Sequence, residues 1–257
     1  MELTDAQWEL LKPLVEPGTP QKRRGRPWRD TREVLEGVLW ILRTGAQWSE
    51  LPRDKFPPYQ TCHRRFPQWV CVGTLVKVLR RLAEDRLARG QLDLAETFID
   101  ASFRGPKKGG GAIGPTRRGK GSKIMAIADR HGLPIAVGIA SASPHEIKLV
   151  ETTLQQRFTR RKPECMIGDL AYDSDPLDQR LRQRGIRLIA PHKGNRIRPN
   201  TQDGRELRRY CRRWKIERLF AWLLNFRRLV IRWEYHEANF LGRVQLGCLL
   251  ILMRNYL

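Results

Sequence analysis

The sequence predicts two parts: an all-α, helix-turn-helix-like module over residues 1–90 and an α/β core over residues 91–257. Three observations carry this. Apolar residues recur at helical spacing behind capping signals as far as Gly90, whereas beyond it short apolar runs alternate with polar helical stretches. Lys and Arg number 49 against 27 Asp and Glu, a net charge of +22 that points to a polyanionic partner. With 40% hydrophobic residues the 257-residue chain can bury a core, which excludes wholesale disorder.

Thr4 and Gln7 form a capping box ahead of Trp8, Leu11, Leu14 and Val15, and Pro17 and Pro20 then break the helical pattern. After the basic connector Lys22 to Pro27, Asp30 and Glu33 read as a second capping box before Val34, Leu35, Val38, Leu39, Ile41 and Leu42, with Gly45 ending the helix. Tyr59 to Phe66 reads as a short third helix and Thr74 to Leu87 as a fourth, with Leu75, Val78, Leu79 and Leu82 inward.

In the core, Phe98-Ile99 is expected to end a first strand, and the Gly- and Lys-rich stretch Gly105 to Gly121 to be a surface loop. Strands follow at Ile124–Ala128 and Ile135–Ala140, joined over His131-Gly132, and Ser143 to Glu146 opens a helix with Glu146 as its capping acid. Met166-Ile167 ends a fourth strand, and Asp173 to Gly185 is helix, with Asp173 and Asp175 as helix-start acids. Ile186–Ala190 is strand, Gly204 to Arg228 one long helix, and Phe240 to Tyr256 a last apolar helix, with Trp214 and Trp222 expected in the core.

Five cysteines, odd in number and never as C-x-x-C, argue against a disulfide framework or a thiolate zinc site. The N-terminus lacks signal-peptide regions and the run Leu246 to Met253 is far short of the ~20 residues that span a bilayer, so no membrane association is expected and the location is cytoplasmic. Gly114 to Lys120 approaches a phosphate-binding loop, but Gly121 replaces the magnesium-binding Ser or Thr and a strand follows, so no nucleotide cofactor is expected.

If the first and fourth strands are parallel neighbours, Asp100 and Asp169 project from the same sheet end. On the long helix Tyr210, Arg213, Glu217 and Arg228 share a stripe, so a helix crossing that end brings Glu217 to the pair. Three carboxylates suit Mg²⁺ or Mn²⁺, and two such ions activate a water and stabilise the leaving oxygen of a phosphodiester. Each acid alone has a structural explanation; the inference comes from the triple. Asp129, at the end of an antiparallel strand, belongs to the opposite end.

The stretches Leu3 to Trp8, Gly25-Arg26-Pro27, Leu42 to Gly45, Phe98-Ile99-Asp100, Gly168-Asp169 with Tyr172-Asp173, and Arg213-Trp214 through Glu217-Arg218 give the chain its kinship. It resembles insertion-sequence transposases of the DDE class, of the insertion-sequence-five family, over nearly its whole length. The resemblance implies a ribonuclease-H-like core and Asp100, Asp169 and Glu217 as ligands of two Mg²⁺ or Mn²⁺ ions. It also implies Tyr210 and Arg213 as companions of Glu217, and an N-terminal module that holds transposon-end double-stranded DNA. The family's Tyr-Arg-Glu-Lys pattern departs here at its lysine, where Leu224 stands and only Arg227 and Arg228 follow. The implied reaction frees a 3′-hydroxyl at the element end and joins it to target DNA, at the bacterial nucleoid. A silent DNA-binding regulator and a nuclease without strand transfer stay as rivals. The family and the apolar last helix together suggest a homodimer or higher on DNA.

Arg24-Gly25-Arg26-Pro27 reads equally as a minor-groove arginine hook and as a solvated linker. Arg64 and Arg65 are candidate DNA contacts on the third helix. Lys107, Lys108, Arg117, Arg118, Lys120, Lys193, Arg196 and Arg198 form two basic loops expected to gather backbone phosphates near the acids.

Overall fold

A computed structural model of the chain describes residues 3–16, 28–202 and 204–254. The breaker Pro17 and Pro20, the connector with Arg24 and Arg26, and Tyr256 lie outside the described residues. In α1 (Asp5–Val15) both halves of the Thr4–Gln7 box form, and in α2 (Thr31–Thr44) the Asp30 side chain accepts from the Glu33 amide. Gly45 ends α2 at φ 70°, a left-handed turn that a Cβ would strain and that would press it against Arg227. Helix α3 (Tyr59–Cys71) runs through Pro67 well past the expected end, and α4 (Thr74–Ala88) completes the layer.

Six strands follow, β1 (Thr97–Arg104), β2 (Gly114–Thr116), β3 (Gly119–Ala128), β4 (Pro134–Ser141), β5 (Cys165–Ile167) and β6 (Arg187–Ile189). The sheet reads β4-β3-β1-β5-β6, with β2 paired to the start of β3. Strands β1, β3 and β4 are antiparallel neighbours, and β1, β5 and β6 run parallel. Helices α5 (Val150–Gln155) and α6 (Asp175–Gln183) pack on β4 and β6, while α8 (Trp214–Leu224), after the single turn α7 (Gly204–Leu207), packs on β1 and β3. Helix α9 (Glu237–Met253) lies between the N-terminal helices and β4.

The structure corrects several expectations. Strand β1 does not stop at Ile99 but continues to Arg104, zipped to β3 as far as Arg104↔Ser122. The Gly- and Lys-rich stretch is not all loop. Thr116 Oγ1 donates to the Gly119 carbonyl, Gly119 takes φ 98°, and the two-residue turn Arg117-Arg118 joins β2 to β3. The long helix is broken: Arg208–Arg212 form a 3-10 turn and α8 begins only at Trp214. Arg208 with Arg212 and Arg209 with Arg213 stand four apart, so a continuous helix would stack like charges. After Ser143 the chain makes a 3-10 turn capped by His145, and Glu146 does not cap it.

The last helix, whose apolar face was expected to serve association, is spent inside the chain: from Phe240 to Met253 its side chains are nearly all buried. Gly242 and Gly247 admit Val70 and Phe66 on one side and Leu223, Leu229 and Phe226 on the other.

A buried ionic clasp joins the helical layer to the sheet. Glu234 accepts from Arg228 Nε at 3.0 Å and pairs with Arg243 Nε at 3.4 Å. Arg243 Nη1 donates to the Val38 carbonyl of α2, and its guanidinium lies 4.1 Å from the Phe66 ring and 4.9 Å from Trp48. Arg232, wholly buried, donates to Ser122 Oγ at the start of β3 and to the Glu234 and Tyr235 carbonyls. Burial pushes the Arg243 guanidinium down to about 10, with Glu234 opposing. Removing one partner of such a network strands the other, so Arg243→Ala should lower unfolding stability by about 3–5 kcal/mol in urea titrations. A loss under about 1 kcal/mol would contradict the clasp.

Candidate active site

The parallel pairing of β1 with β5 sets the geometry. Its last pair is Phe98↔Ile167, and Asp100 and Asp169 each stand two residues beyond it, at one level of the sheet. Asp100 lies within β1, opposite Ala126 of β3, rather than just after a strand end as the sequence suggested. Its Oδ1 accepts from the Ala101 amide at 2.8 Å. Asp169 caps the 3-10 turn Leu170–Tyr172 by accepting from the Ala171 amide at 2.8 Å.

Glu217 comes from the first turn of α8, not from mid-helix. One turn before it Arg213 joins all three acids. Its Nη2 is 2.9 Å from Asp100 Oδ2 and 3.9 Å from Asp169 Oδ2, and its Nη1 is 2.7 Å from Glu217 Oε1. Side-chain exposure rises from 16% at Asp100 through 32% at Asp169 to 62% at Glu217, so the cluster opens from a buried floor to solvent. Burial pushes Asp100 up to about 6, with Glu146 and Asp169 adding to the rise and Arg213 and the Ala101 amide opposing it. Burial lowers Arg213, but Asp100, Glu217 and Asp169 outweigh it and hold its guanidinium above the ordinary value. Tyr210, in the 3-10 turn before α8, packs half-buried against the core beside Arg213.

The donor set is all carboxylate oxygen, the chemistry that Mg²⁺ and Mn²⁺ take. As arranged, these oxygens meet the Arg213 guanidinium, and among the described residues no three His, Cys, Asp or Glu side chains close into one metal-sized cluster. The acids suit a divalent ion by the chemistry of their donor atoms, and in this structure the charge they share is the Arg213 guanidinium. Asp129 lies at the other end of β3, wholly buried, accepting from the Asp93, His131 and Leu133 amides as a turn organiser.

The basic residues divide. Lys107, Lys108, Arg117, Arg118 and Lys120 are exposed, and among the described residues none of the five has an ion-pair partner. The hairpin tip projects from the same sheet end as the acids, with Lys120 six residues along β3 from Ala126, about 20 Å. Arg64 is exposed on α3 beside a groove of about 500 Å³ lined also by Trp28, Arg29 and Gln68, and Arg227 is exposed after α8.

Others have partners within the chain, some buried and some, like Arg198 at 73% exposure, at the surface. Arg65 is buried with its guanidinium 3.6 Å from the Trp28 ring, and burial pushes it down to about 10, so much of its charge is spent within the chain. Arg196 pairs with Asp173 at 2.9 Å and Asp175 at 2.6 Å, and Arg198 with Asp175 at 3.2 Å. Asp173 lies outside α6; it accepts from His192, from the Lys193 amide and from Arg196, pinning the second basic loop beside the Asp169 turn. Arg228 belongs to the clasp and also donates to the Ala46 carbonyl. Leu224, at the lysine position, is part-exposed and offers no cation. Trp214, expected in the core, is half exposed, with the Arg218 guanidinium 4.8 Å from its ring.

Two residues near the acids escaped the sequence reading of the site. Glu146 was explained as a cap, and Tyr172 was only part of a matching stretch; no spacing rule marks either, because both come to the site through tertiary packing of two short turns.

A family described as "Putative transposase of IS4/5 family" matches residues 3–79, and one described as "Transposase DDE domain" matches residues 93–253. A protein of Burkholderia cepacia, "Putative transposase for insertion sequence element IS402", is 31% identical over 194 residues, 70% of this chain and 86% of its own length. An uncharacterized 16.2 kDa protein of the same insertion element is 30% identical over 103 residues, 39% of this chain and 70% of its own. A solved piggyBac transposase in a synaptic complex with hairpin DNA superposes with a TM-score of 0.53 at 12% identity, covering 99% of this chain and 73% of that one, which shows a shared fold.

The raised Asp100 has a consequence for stability. An acid whose folded pKa stands above its unfolded value supports the fold below about 4 and loses that support as pH rises through about 6. Asp100→Asn should therefore raise the melting temperature at pH 8, by the equivalent of about 1–3 kcal/mol, and leave it nearly unchanged at pH 4. A lower melting temperature at pH 8 would show that the Arg213 pair outweighs the burial of the charge.

Proposed function

The chain belongs to the DDE-domain transposase family, and from that premise we propose that it cuts DNA at the ends of its own insertion element and joins the freed 3′-hydroxyl to a target. The observation that carries the reading is Arg213 drawing together Asp100, Asp169 and Glu217 from a strand, a turn and a helix that are far apart in the chain. Residues 1–90 are the element-end-binding part, helix-turn-helix-like, and residues 91–257 the ribonuclease-H-like catalytic part.

Asp100, Asp169 and Glu217 are the groups that hold two divalent ions, Mg²⁺ or Mn²⁺. When bound, such ions supply an activated water and neutralise the leaving oxygen of the phosphodiester. The rest is the work of the chain. Asp100, the least exposed of the three, would hold the ions at the floor of the site, with Asp169 and Glu217 nearer its mouth. Arg213, one turn before Glu217 and with Tyr210 packed beside it, would neutralise the scissile phosphate. Holding the freed 3′-hydroxyl in the same site turns joining into a reaction between positioned groups.

Double-stranded DNA approaches the acid end of the sheet along the hairpin cations Lys107, Lys108, Arg117, Arg118 and Lys120, with Arg64 contacting the element end from α3. Arg227 serves in place of the family's lysine. Joining two ends calls for at least a homodimer on DNA, acting at the bacterial nucleoid.

The test is incubation of wild type and Glu217→Gln with labelled DNA carrying the inverted repeats that flank the gene, with and without Mg²⁺ or Mn²⁺. Metal-dependent nicking and joining should appear in the wild type and fall at least ~100-fold in the variant while DNA binding survives. Binding without cleavage in the wild type would make the chain a silent regulator, cleavage without joining a nuclease, and cleavage retained in the variant would remove Glu217 from the site.

A further inference from the structure

The 3-10 turn Glu146–Leu149 packs on the turn Leu170–Tyr172 that Asp169 caps. Between them the Tyr172 ring is completely buried, pressed on Gly168, where any Cβ would collide with it. Its hydroxyl has no partner at regular hydrogen-bond geometry, although Glu146 lies within reach and the charges of Asp100 and Asp169 also bear on it. A buried hydroxyl left unpaired costs about 1–3 kcal/mol, so something normally completes this site. Lys123 of β3 seats Glu146: its Nζ is 3.6 Å from Glu146 Oε1 and donates to the Pro144 carbonyl at 2.9 Å.

Charge makes the same point. Among the described residues, the ion pairs of Asp100, Asp169, Glu217 and Glu146 run to only two cations, Arg213 and Lys123. Four carboxylates against two cations leave two negative charges at a site whose floor is buried, the deficit that one divalent cation makes good.

We propose that Glu146 is a fourth carboxylate of the cation-holding set, with Tyr172 as a positioning residue whose hydroxyl orients the acids on its side of the site. The proposal rests on the three-acid reading above and extends it. Tyr172 donates its hydroxyl to the carboxylate that turns toward the cation, and Lys123 keeps Glu146 from swinging out to solvent.

The experiment is Mn²⁺ titration of the full-length chain without DNA, free Mn²⁺ being read by electron paramagnetic resonance. Wild type, Glu146→Gln, Glu146→Asp, Tyr172→Phe and Asp169→Asn are compared, each with its melting curve. Glu146→Gln should weaken Mn²⁺ binding about 10-fold or more, Glu146→Asp should recover most of it, and Asp169→Asn should weaken it at least as much as Glu146→Gln. Unchanged affinity in Glu146→Gln beside a weakened Asp169→Asn overturns this inference and leaves the three-acid reading standing. Unchanged affinity in both overturns the three-acid reading, and this inference with it. If Glu146→Gln does not fold, Tyr172→Phe, which removes only the hydroxyl, decides: weakened binding supports the inference and wild-type affinity overturns it.

Discussion

Carboxylates gathered at a half-buried site need a shared proton or a cation among them, and in this chain the cation is Arg213. Everything around it follows from the need to present one guanidinium to three acids at once. The helix that carries Glu217 starts late, so that Arg213 stands at its mouth and Glu217 one turn further on, at the spacing where the two side chains meet. The parallel strands bring Asp100 and Asp169 level with each other. A guanidinium satisfies such a cluster only partly, because it is monovalent and its fork reaches Asp169 at 3.9 Å, outside hydrogen-bonding range.

The rest of the fold keeps the frame rigid. Arg232 and Arg243, both buried, tie β3, the segment around Glu234 and the second helix into one network, and Arg86 donates to the Leu252 and Arg254 carbonyls at the end of α9. The helical layer is therefore packed on the core through α9 rather than tethered to it. This also revises what a charge of +22 means. Arg65, Arg86, Arg104, Arg232 and Arg243 are buried and hold the structure together, so the surface available to a polyanion is smaller than the composition suggests.

Sequence patterns revealed what local chemistry dictates and missed what tertiary contact decides. Thr4 with Gln7, Asp30 and Gly45 announce helix ends through backbone hydrogen bonds and a left-handed turn, and they hold in the structure. The two strand aspartates were legible because a parallel pair puts equivalent positions level, although polar Asp100 and Ser102 hid the continuation of β1, which pairing with β3 enforces. The single long helix failed at Arg208–Arg212, where like charges outweigh the apolar period. The last helix read as a surface for association because its sequence is apolar; only the packing shows that Phe66, Val70, Leu223 and Leu229 already cover it. Glu146 carried a capping signal that the fold does not use, and its nearness to Tyr172 depends on two turns 26 positions apart in sequence.

If the three acids hold a divalent cation, as proposed, Arg213 is the group that must give way to it. Crystals of the chain soaked in Mn²⁺ and measured at the manganese absorption edge address this most directly. The account predicts an anomalous peak bound by Asp100 and Asp169, with the Arg213 guanidinium turned away from Asp100. A peak held by other residues, or soaked crystals in which Arg213 still bridges Asp100 and Glu217 with no manganese between the acids, would contradict it.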